Sequence, residues 1–393
     1  MSAPRKYELH TRSLVERLFE PPSAGTMSPA SKVVVYALLI LWSLFVIFPI
    51  YWVVITAFKL PQHVNEGPLF LPFVDFMPDL HAWRSLFTQE ENCNLYAIGH
   101  YFTLIFYNAV AAILSLVMEV TPMKPAICKV YQSYTNSFVI GIVSTVLCIV
   151  IGSMAAYALA RIQYKPKFGV ILMFVALLIA ATIVTGTMGV SWWLTMPVAL
   201  AMFVLLARAL GRHFTRTLGN GDILFWIISQ RILPPIVVII PIYLMFQSVG
   251  LVDTHIGLIL AYAVANLPIV VWLMHDFFAS LPIELEESAA LDGATRFGIF
   301  WEIVLPLTKP GLAATTLLVL ILCWNEYLLA VFLSTSKAQT MPILVAAMNA
   351  GDRGILWWTM CVVILVMIVP VILMAVLLQR YIAKGVLLGA VKG

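Results

Sequence analysis

The stretch ESAALDGATRFGIFWEIVLPL, residues 287–307, is the most informative part of the sequence because it is short, charged and interrupted by glycine. It carries Glu287, Asp292, Arg296 and Glu302, whereas the chain on either side is apolar over lengths that could cross a membrane. A charged segment between two such runs predicts a loop outside the bilayer.

Local signals predict that this loop begins with a short helix. Ser280 is a suitable N-cap, and Pro282 suits the first turn because its missing N–H would be unpaired there. Gly293 predicts a left-handed stop, a conformation that other residues resist. Carboxylates near the start complement the positive end of the helix: Glu284, Glu286 and Glu287.

A second short helix is expected after the glycine, capped by Thr295 and ended by Pro306. It carries apolar and aromatic residues that we expect against the inner ends of the spans: Phe297, Phe300, Trp301 and Val304. The pair of helices has one small, acidic face and one aromatic face. Two interpretations follow, a docking element for another protein or an ordinary polar connection.

Composition identifies the chain as an integral membrane protein. Of its 393 residues, 62% are hydrophobic and 11% charged, against roughly 25% charged in soluble proteins. The basic residues are scattered at the ends of apolar runs, so we expect no nucleic-acid partner. No zinc-binding, metalloprotease or phosphate-loop motif occurs, so we expect neither a metal nor a cofactor held by this chain.

Long apolar runs predict an all-α membrane protein with about eight spanning helices. The eight runs are 33–58, 137–160, 168–190, 191–207, 223–247, 256–274, 311–333 and 355–378. With both termini cytoplasmic, 16 of the 23 Lys and Arg lie inside and 6 outside, as expected for cytoplasmic segments. A ninth run, 101–118, reverses this excess if it spans, so we expect it to be re-entrant or to lie on the outer side.

This topology divides the chain into four parts. Residues 1–32 form a cytoplasmic N-terminal segment, and 33–58 the first span. Residues 59–136 form an outer, periplasmic segment, and 137–393 the core. Leu14, Val15, Leu18 and Phe19 predict an amphipathic surface helix in the first part, with a disordered tail as the alternative. Cys93 and Cys128 in the outer segment either pair as a disulfide or stay free.

Polar residues inside the spans are candidates for a transport pathway or gate. Asn325 and Glu326 lie in the outer half of 311–333, and Asn266 precedes Pro268 in 256–274. A carboxylate at mid-membrane must face the bundle or a wet cavity. A structural contact between helices is the alternative for each. The run 223–247 contains Arg231, so its span is expected to begin after that residue. Pro234, Pro235 and Pro241 predict that the helix of this run is broken and could hinge there.

The central stretch resembles the coupling-loop signature of permease subunits of binding-protein-dependent ABC importers. The signature residues are Glu287, Ser288, Ala289, Gly293, Ile303, Leu305 and Pro306, with Ser288 at a position where the family usually has alanine. WNEYLLAVFL and QRYIAKGVLLGAVKG are similar to the carbohydrate branch, in particular to the maltose-type second permease. The likeness covers residues 223–393 almost continuously.

The resemblance implies an ABC importer transmembrane domain with six core spans, to which this chain adds an apolar hairpin at 168–222. It implies that loop 280–306 couples transport to an ATPase. The candidate coupling residues are Glu284, Glu287, Ser288, Ala289, Ala290, Leu291, Asp292, Gly293, Phe297, Ile303, Leu305 and Pro306.

The resemblance also implies a function and a set of partners. The chain is expected to be a multi-pass permease of the bacterial inner membrane that imports a sugar or polyol and is not itself an enzyme. Its expected partners are a second homologous permease, two ATP-binding subunits that hold the ATP, and a periplasmic or membrane-anchored solute-binding protein, all in a lipid bilayer. The alternatives are an importer of another polar solute, a secondary transporter and a membrane-embedded enzyme.

Overall fold

The structure, a computed structural model, describes residues 27–88, 127–349 and 356–390, together with Phe19. Regular secondary structure in these ranges is helical, apart from two isolated bridges between single residue pairs. The helices are α1 (Pro29–Thr56), α2 (Pro61–Asn65), α3 (His81–Thr88), α4 (Ile127–Arg161), α5 (Phe168–Met188), α6 (Trp192–Leu210), α7 (Asn220–Ser229), α8 (Pro235–Ser248), α9 (His255–Ala279), α10 (Glu284–Leu291), α11 (Arg296–Leu307), α12 (Lys309–Trp324), α13 (Leu328–Leu333), α14 (Met341–Asn349) and α15 (Trp357–Ala390).

Within these ranges, six helices are long and apolar enough to cross a membrane: α1, α4, α5, α6, α9 and α15. They coincide with six of the eight predicted runs. A seventh span results if α11 and α12, which are bent by 81°, are counted together. The total of eight spans and the side of the two termini therefore stay predictions.

The other two predicted runs are each broken, so neither forms one continuous helix. The run 223–247 divides into α7 and α8 at residues 230–234, which confirms the break predicted from Pro234 and Pro235. The break predicted at Pro241 was wrong, because Pro241 lies inside the continuous helix α8. The run 311–333 divides into α12 and α13 at residues 325–327. There the side chain of Glu326 accepts a hydrogen bond from the backbone N–H of Leu329 (3.0 Å) and so caps α13 instead of continuing α12.

Four earlier predictions fall wholly or partly outside the described residues. They are the amphipathic helix around Leu14, Val15 and Leu18 in segment 1–32, the apolar run 101–118, residues 89–126 of the outer segment 59–136, and the pairing of Cys93 with Cys128. Phe19 of that N-terminal helix is described as helical and exposed.

The chain divides into two compact units, Met1–Gln89 with Met348–Val366, and Glu90–Ala347 with Met367–Gly393. In the first unit, the most apolar window of α1 is entirely unburied. Beyond its end, Lys59 is buried, with Nζ 4.4 Å from the centre of the Trp52 ring and 2.6 Å from the carbonyl oxygen of Leu69. Lys59 thus fixes the loop that follows α1.

In the second unit, α4 packs closely against α9. Small buried residues repeat every four positions along α4: Ser144, Cys148, Gly152 and Ala156. The Ser144 hydroxyl donates to the carbonyl of Ile259 (3.3 Å), and the Cys148 thiol to that of Ala263 (3.2 Å). A Cβ on Gly152 would lie 2.6 Å from Val270. Small residues allow this close approach of two backbones, as is usual between membrane helices.

Asp253 lies just before α9, has a positive φ of 59°, and holds a distant loop of this unit. Its carboxylate accepts hydrogen bonds from four successive backbone N–H groups at 3.0–3.1 Å, those of Thr335, Ser336, Lys337 and Ala338. Burial alone would raise the pKa of Asp253, but the four donors outweigh burial and lower it to about 2.

Within this unit, Asn220 binds the base of the hairpin α5–α6 to the end of α4 and the residues just after it. The Asn220 amide donates to the carbonyls of Leu159 (2.6 Å) and Ile162 (2.7 Å), and its oxygen accepts from the N–H of Tyr164 (2.8 Å). The two ends of the insertion are therefore within hydrogen-bond distance of each other. An insertion of this shape leaves the path of the core chain unchanged.

Candidate functional site: the charged loop and the helix breaks

Helix α10 begins later than its predicted cap. Ser280 is the C-cap of α9 rather than an N-cap, and its hydroxyl donates to the carbonyl of Phe277 (2.7 Å). Ile283 precedes α10 and makes no side-chain cap. The prediction was wrong because α9 runs on to Ala279, five residues past the predicted end of its span.

The stop after α10 is the one predicted. Gly293 has φ of +88°. Its N–H donates to the carbonyl of Ala290, and the N–H of Ala294 donates to that of Ala289. These two bonds form a Schellman motif, in which a left-handed residue satisfies the last carbonyls of a helix.

One acidic side chain fixes α10 to the end of α4. The Glu286 carboxylate accepts from Nε of Arg161 and from the hydroxyl of Tyr157, both at 2.7 Å. Arg161 also donates to the carbonyl of Leu281 (3.2 Å). The side chains of Arg161 and Glu286 are 10% and 12% exposed, so this ion pair is largely screened from water. We call this end of the unit the inner end, following the predicted orientation.

The rest of α10 faces solvent. Ala289 is half-buried against the core, whereas Glu284, Glu287, Ser288, Ala290 and Asp292 are exposed. Neither Glu284 nor Glu287 forms an ion pair with another described residue. Leu291 is 90% exposed.

Helix α11 divides the predicted aromatic face in two. Thr295 caps it as predicted, accepting from the N–H of Gly298 (3.1 Å). Phe300 packs against Tyr157, with ring centres 5.0 Å apart, and is buried. Phe297 and Trp301 instead stack on each other at 6.2 Å and face outward. The expectation that all four aromatic and apolar residues pack inward was therefore wrong for these two.

The end of α11 also differs from expectation. The N–H of Leu305 donates to the carbonyl of Phe300, five residues back, in a π-helical turn over Ile299–Val304. Pro306 lies inside the last turn, and the helix continues to Leu307. Proline lacks a backbone donor, and its ring crowds the carbonyl four residues back. The wider π-helical turn before it gives the ring room, so the helix continues past it. Ile303 and Leu305 are half-buried and Pro306 is exposed.

Several exposed side chains belong to α10, to α11 or to the short turn between them, and we call them the coupling surface after the role that the sequence predicts for this loop. It combines carboxylates with large apolar groups: Glu284, Glu287, Asp292, Leu291, Phe297 and Trp301. The Schellman stop and the Arg161–Glu286 pair hold it in position relative to α4. An exposed patch of this kind, acidic and apolar at once, is suited to bind another protein.

The break between α7 and α8 holds a cation within the apolar run 223–247. Arg231 is exposed there, and its guanidinium donates to the carbonyl of Ala265 (3.0 Å). A charge in contact with the lipid core is costly, which favours a position against another subunit or in a water-filled pathway.

The break between α12 and α13 holds the two predicted polar residues. Asn325 is exposed, and its amide donates to the carbonyl of Ile321 in its own helix (3.0 Å). The backbone carbonyl of Glu326 accepts from the hydroxyl of Tyr262 (3.2 Å). Irregular backbone at membrane depth is tolerated where it is buried in protein or lines a cavity.

Asn266 lies elsewhere, buried between helices. Its amide donates to the carbonyl of Tyr262 (2.9 Å) and to the sulfur of Cys323 (3.4 Å), and 1% of the residue is exposed. Asn266 therefore joins α9 to α12 in this conformation and does not line an open surface.

Comparison with known proteins places this arrangement in a family. Residues 204–387 match the family described as binding-protein-dependent transport system inner membrane component. The trehalose transport system permease protein SugB of Mycobacterium tuberculosis is 30% identical over 66% of the chain and 76% of that protein. The chain belongs to this permease family.

Other relatives of the permease extend the match. The trehalose/maltose transport system permease protein MalG of Thermococcus litoralis is 26% identical over 90% of the chain and 94% of that protein. A probable ABC transporter permease, y4oR of Sinorhizobium fredii, is 33% identical, and the match spans 64% of its length. The permease is thus a multi-pass protein of the inner membrane.

A solved structure shares the fold of the permease. It belongs to a bacterial ABC transporter involved in the import of the acidic polysaccharide alginate, with a TM-score of 0.54 and 18% identity. The alignment covers 94% of the permease and 99% of that chain. The predicted fold class, a helical ABC importer transmembrane domain, is confirmed.

Two important residues of the permease were missed from sequence. Glu286 was read only as a helix-end charge beside Glu284 and Glu287, although it alone is bonded to Arg161. Arg231 was read as marking the start of a span. The available signal for Glu286 was Arg161, a cation at the end of a long apolar run, which requires a partner if it is not fully solvated.

Proposed function

We propose that the permease imports a sugar or a related polyol. Supporting this are the names of its relatives, which include transporters of trehalose, of trehalose or maltose, of diacetylchitobiose and of sulfoquinovosyl glycerol. We further propose the partners expected of such an importer: a second homologous permease, two ATP-binding subunits and an external solute-binding protein.

The coupling surface is the observation that carries this proposal. Its acids and exposed apolar groups form the site at which an ATP-binding subunit docks, and the Arg161–Glu286 pair transmits the movement of α10 to α4. ATP binding and hydrolysis belong to the partner subunits in this proposal, since the chain carries no phosphate-loop motif. The permease converts displacement of α10 into a change of access to the pathway.

The two helix breaks are the proposed pathway side of the chain. Arg231, Asn325 and Glu326 supply charge and hydrogen-bonding groups at membrane depth, where a polar solute needs them. Both breaks expose backbone in helices that otherwise satisfy it internally. Asn266 contributes by holding α9 to α12 rather than by touching the solute.

The test compares two glycines with the same backbone geometry at opposite ends of α9, which is about 37 Å long. Gly293 has φ of +88° and Gly250 of +70°, and a Cβ on either would meet nothing within 4 Å. Gly293→Asp adds strain and charge at the coupling surface, and Gly250→Asp adds the same strain and charge away from it. Both variants are compared at equal abundance in vesicles that contain the complete transporter.

Gly293→Asp is expected to lower ATP-driven uptake at least tenfold and to reduce co-purification of the ATP-binding subunit, whereas Gly250→Asp retains both. Equal effects of the two variants would show a general folding defect and contradict the coupling role. Uptake that continues without ATP, driven by an ion gradient, would instead support a secondary transporter. The solute is identified by measuring which sugars the solute-binding protein delivers.

A further inference from the structure

The base of the hairpin α5–α6 concentrates positive charge. The segment between residues 162 and 221 has five basic residues and no Asp or Glu. All five lie in the last residues before α5 or in and after the end of α6. We call them the basic collar: Lys165, Lys167, Arg208, Arg212 and Arg216.

Backbone pairing holds the two halves of the collar together. The N–H of Phe168 donates to the carbonyl of Arg216, and that of Leu218 to the carbonyl of Pro166, both at 2.9 Å. Nζ of Lys167 donates to the carbonyl of Gly211 (2.8 Å). A preference for cytoplasmic cations accounts for positive charge on this side of the membrane, but it does not require these side chains to converge on one paired segment.

Packing makes the base rigid. A Cβ on Gly169 would lie 2.1 Å from the Phe214 ring, so the ring packs directly against this glycine. The guanidinium of Arg216 lies 5.5 Å from the centre of the Phe168 ring, a cation–π contact.

The collar has no acidic partner in the described part of the chain. Arg161 pairs with Glu286, and His275 contacts Asp276 (3.2 Å), so neither carboxylate faces a collar residue. The nearest carboxylate along the sequence, Asp222, accepts from the N–H of Gly219 (2.8 Å). Lys165, Arg208, Arg212 and Arg216 are exposed, so the collar is available to an anion.

An apolar groove runs between the two helices at a matching depth. Its volume is about 200 Å³. The groove is lined by Phe174, Leu177 and Leu178 of α5 and by Met196, Ala199 and Leu200 of α6. These residues lie roughly 9–18 Å along the helices from the collar, so the groove begins within the leaflet, whose depth is about 15 Å, and reaches the middle of the bilayer.

We propose that the collar binds the headgroup of an anionic phospholipid, with one acyl chain in the groove between α5 and α6. The charge of the phosphate complements the collar, and the groove begins where the acyl chains of that leaflet lie. The rest of the described chain covers little of the hairpin, since 6% and 11% of the apolar windows of α5 and α6 are buried, so most of its surface is accessible to lipid. The proposal is independent of the solute that the permease carries.

The test measures retention of phosphatidylglycerol by the purified, complete transporter. The complex is reconstituted in vesicles of phosphatidylcholine with and without phosphatidylglycerol, then extracted and analysed by native mass spectrometry. Arg208→Gln/Arg212→Gln removes two charges from the collar. Lys32→Gln/Lys309→Gln is the matched control, because it removes two exposed basic residues at predicted inner ends of other helices.

The collar variant is expected to weaken phosphatidylglycerol retention about tenfold or more, given the attraction of each basic residue to anionic lipid, and the control to leave it unchanged. The second prediction concerns the groove. Ala199→Phe fills it and should lower retention, whereas Val198→Phe, exposed on the same helix, should not.

Three results would overturn the proposal. The first is equal retention in the collar variant and the control, and the second is equal retention of phosphatidylcholine. The third is photo-crosslinking from position 212 to a polypeptide instead of lipid, which would show that another protein covers the collar. Displacement of the bound lipid by inorganic phosphate alone would mean that the collar binds only the phosphate group, and would contradict the acyl-chain part.

Discussion

Two helix pairs of the permease are similarly apolar but are packed in opposite ways. The most apolar windows of α4 and α9 are 39% and 50% buried within the chain, whereas those of α5 and α6 are 6% and 11% buried. All four helices pass the same test of length and composition for crossing a membrane. Hydrophobicity therefore identifies the spans but does not tell which of them build the bundle.

The difference lies in the residues between the helices. In lipid no hydrophobic force drives helices together, so close packing and polar bonds decide which helices associate. On α4 the small residues Ser144, Cys148 and Gly152 recur every four positions and face α9, with two side-chain hydrogen bonds to its backbone. The hairpin has Thr185 bonded to Thr195 near its turn (2.8 Å) and the collar at its base, while most of its surface is exposed.

The strongest test of this contrast adds the same side chain to each pair. A Cβ on Gly152 would lie 2.6 Å from Val270, whereas one on Gly186 in α5 would meet nothing within 4 Å. Gly152→Val should destabilise the bundle by about 1–3 kcal/mol or more, the usual cost of overpacking. Thermal unfolding of the purified complex measures the effect.

Gly186→Val is the control, and we expect it to unfold at nearly the same temperature as the parent protein. A large loss of stability in this variant would mean that the exposed face of α5 is packed against another subunit, and the contrast between the pairs would fail.

The second test concerns the charges at the inner end. Arg161 has Glu286 as its partner, whereas the collar arginines have no carboxylate among the described residues. Removing one member of a buried pair costs about 3–5 kcal/mol when the other is left uncompensated. Arg161→Gln and Glu286→Gln should each lower uptake at least tenfold, because α10 loses its attachment to α4.

The double variant Arg161→Gln/Glu286→Gln controls for the loss of charge, since it leaves no unpaired ion. The loss of stability in the double variant should be smaller than the sum of the losses in the two single variants. Strict additivity in thermal unfolding would show that the two residues do not act as a pair.

The spans and several local features could be predicted from sequence because their causes are local. Apolar length predicted six of the helices, and Gly293, Thr295 and the prolines at 234 and 235 behaved as expected, since each acts through its own backbone. Glu286 could not be chosen over Glu284 and Glu287, because its role depends on Arg161, 125 residues away. Tertiary contacts also decided the end of α9 and the outward direction of Trp301.

The third test asks whether the break at Glu326 belongs to the packed part of the molecule. Its carboxylate caps α13 by accepting from the N–H of Leu329. Glu326→Gln retains an acceptor and should keep most of the uptake. Glu326→Leu should lower uptake, because it loses the cap, which costs about 1 kcal/mol, and a polar group of the proposed pathway.

Uptake is measured at equal membrane abundance of the two variants. Full activity of Glu326→Leu would show that this position faces lipid or solvent and resembles the exposed hairpin rather than the bundle. A loss in Glu326→Gln as large as in Glu326→Leu would instead assign the role to the negative charge.

The smallest expected effect concerns two loops, the turn of the hairpin and the loop that Asp253 holds before α14. The turn of the hairpin at Gly189 is left-handed and open, whereas the loop at residues 335–338 is held by Asp253. Because the pKa of Asp253 is lowered to about 2 from its ordinary 3.8, its charged form is favoured by folding. The stabilisation is therefore fully present above about pH 4 and is lost as the pH falls towards 2.

Asp253→Asn should unfold at a lower temperature than the parent protein at pH 7 and pH 5, with a difference that shrinks below pH 4. Amide exchange at pH 7 should speed up at residues 335–338 and stay unchanged at the hairpin turn. A stability difference that stays constant down to pH 3 would mean that the shape of Asp253, rather than its charge, holds the loop.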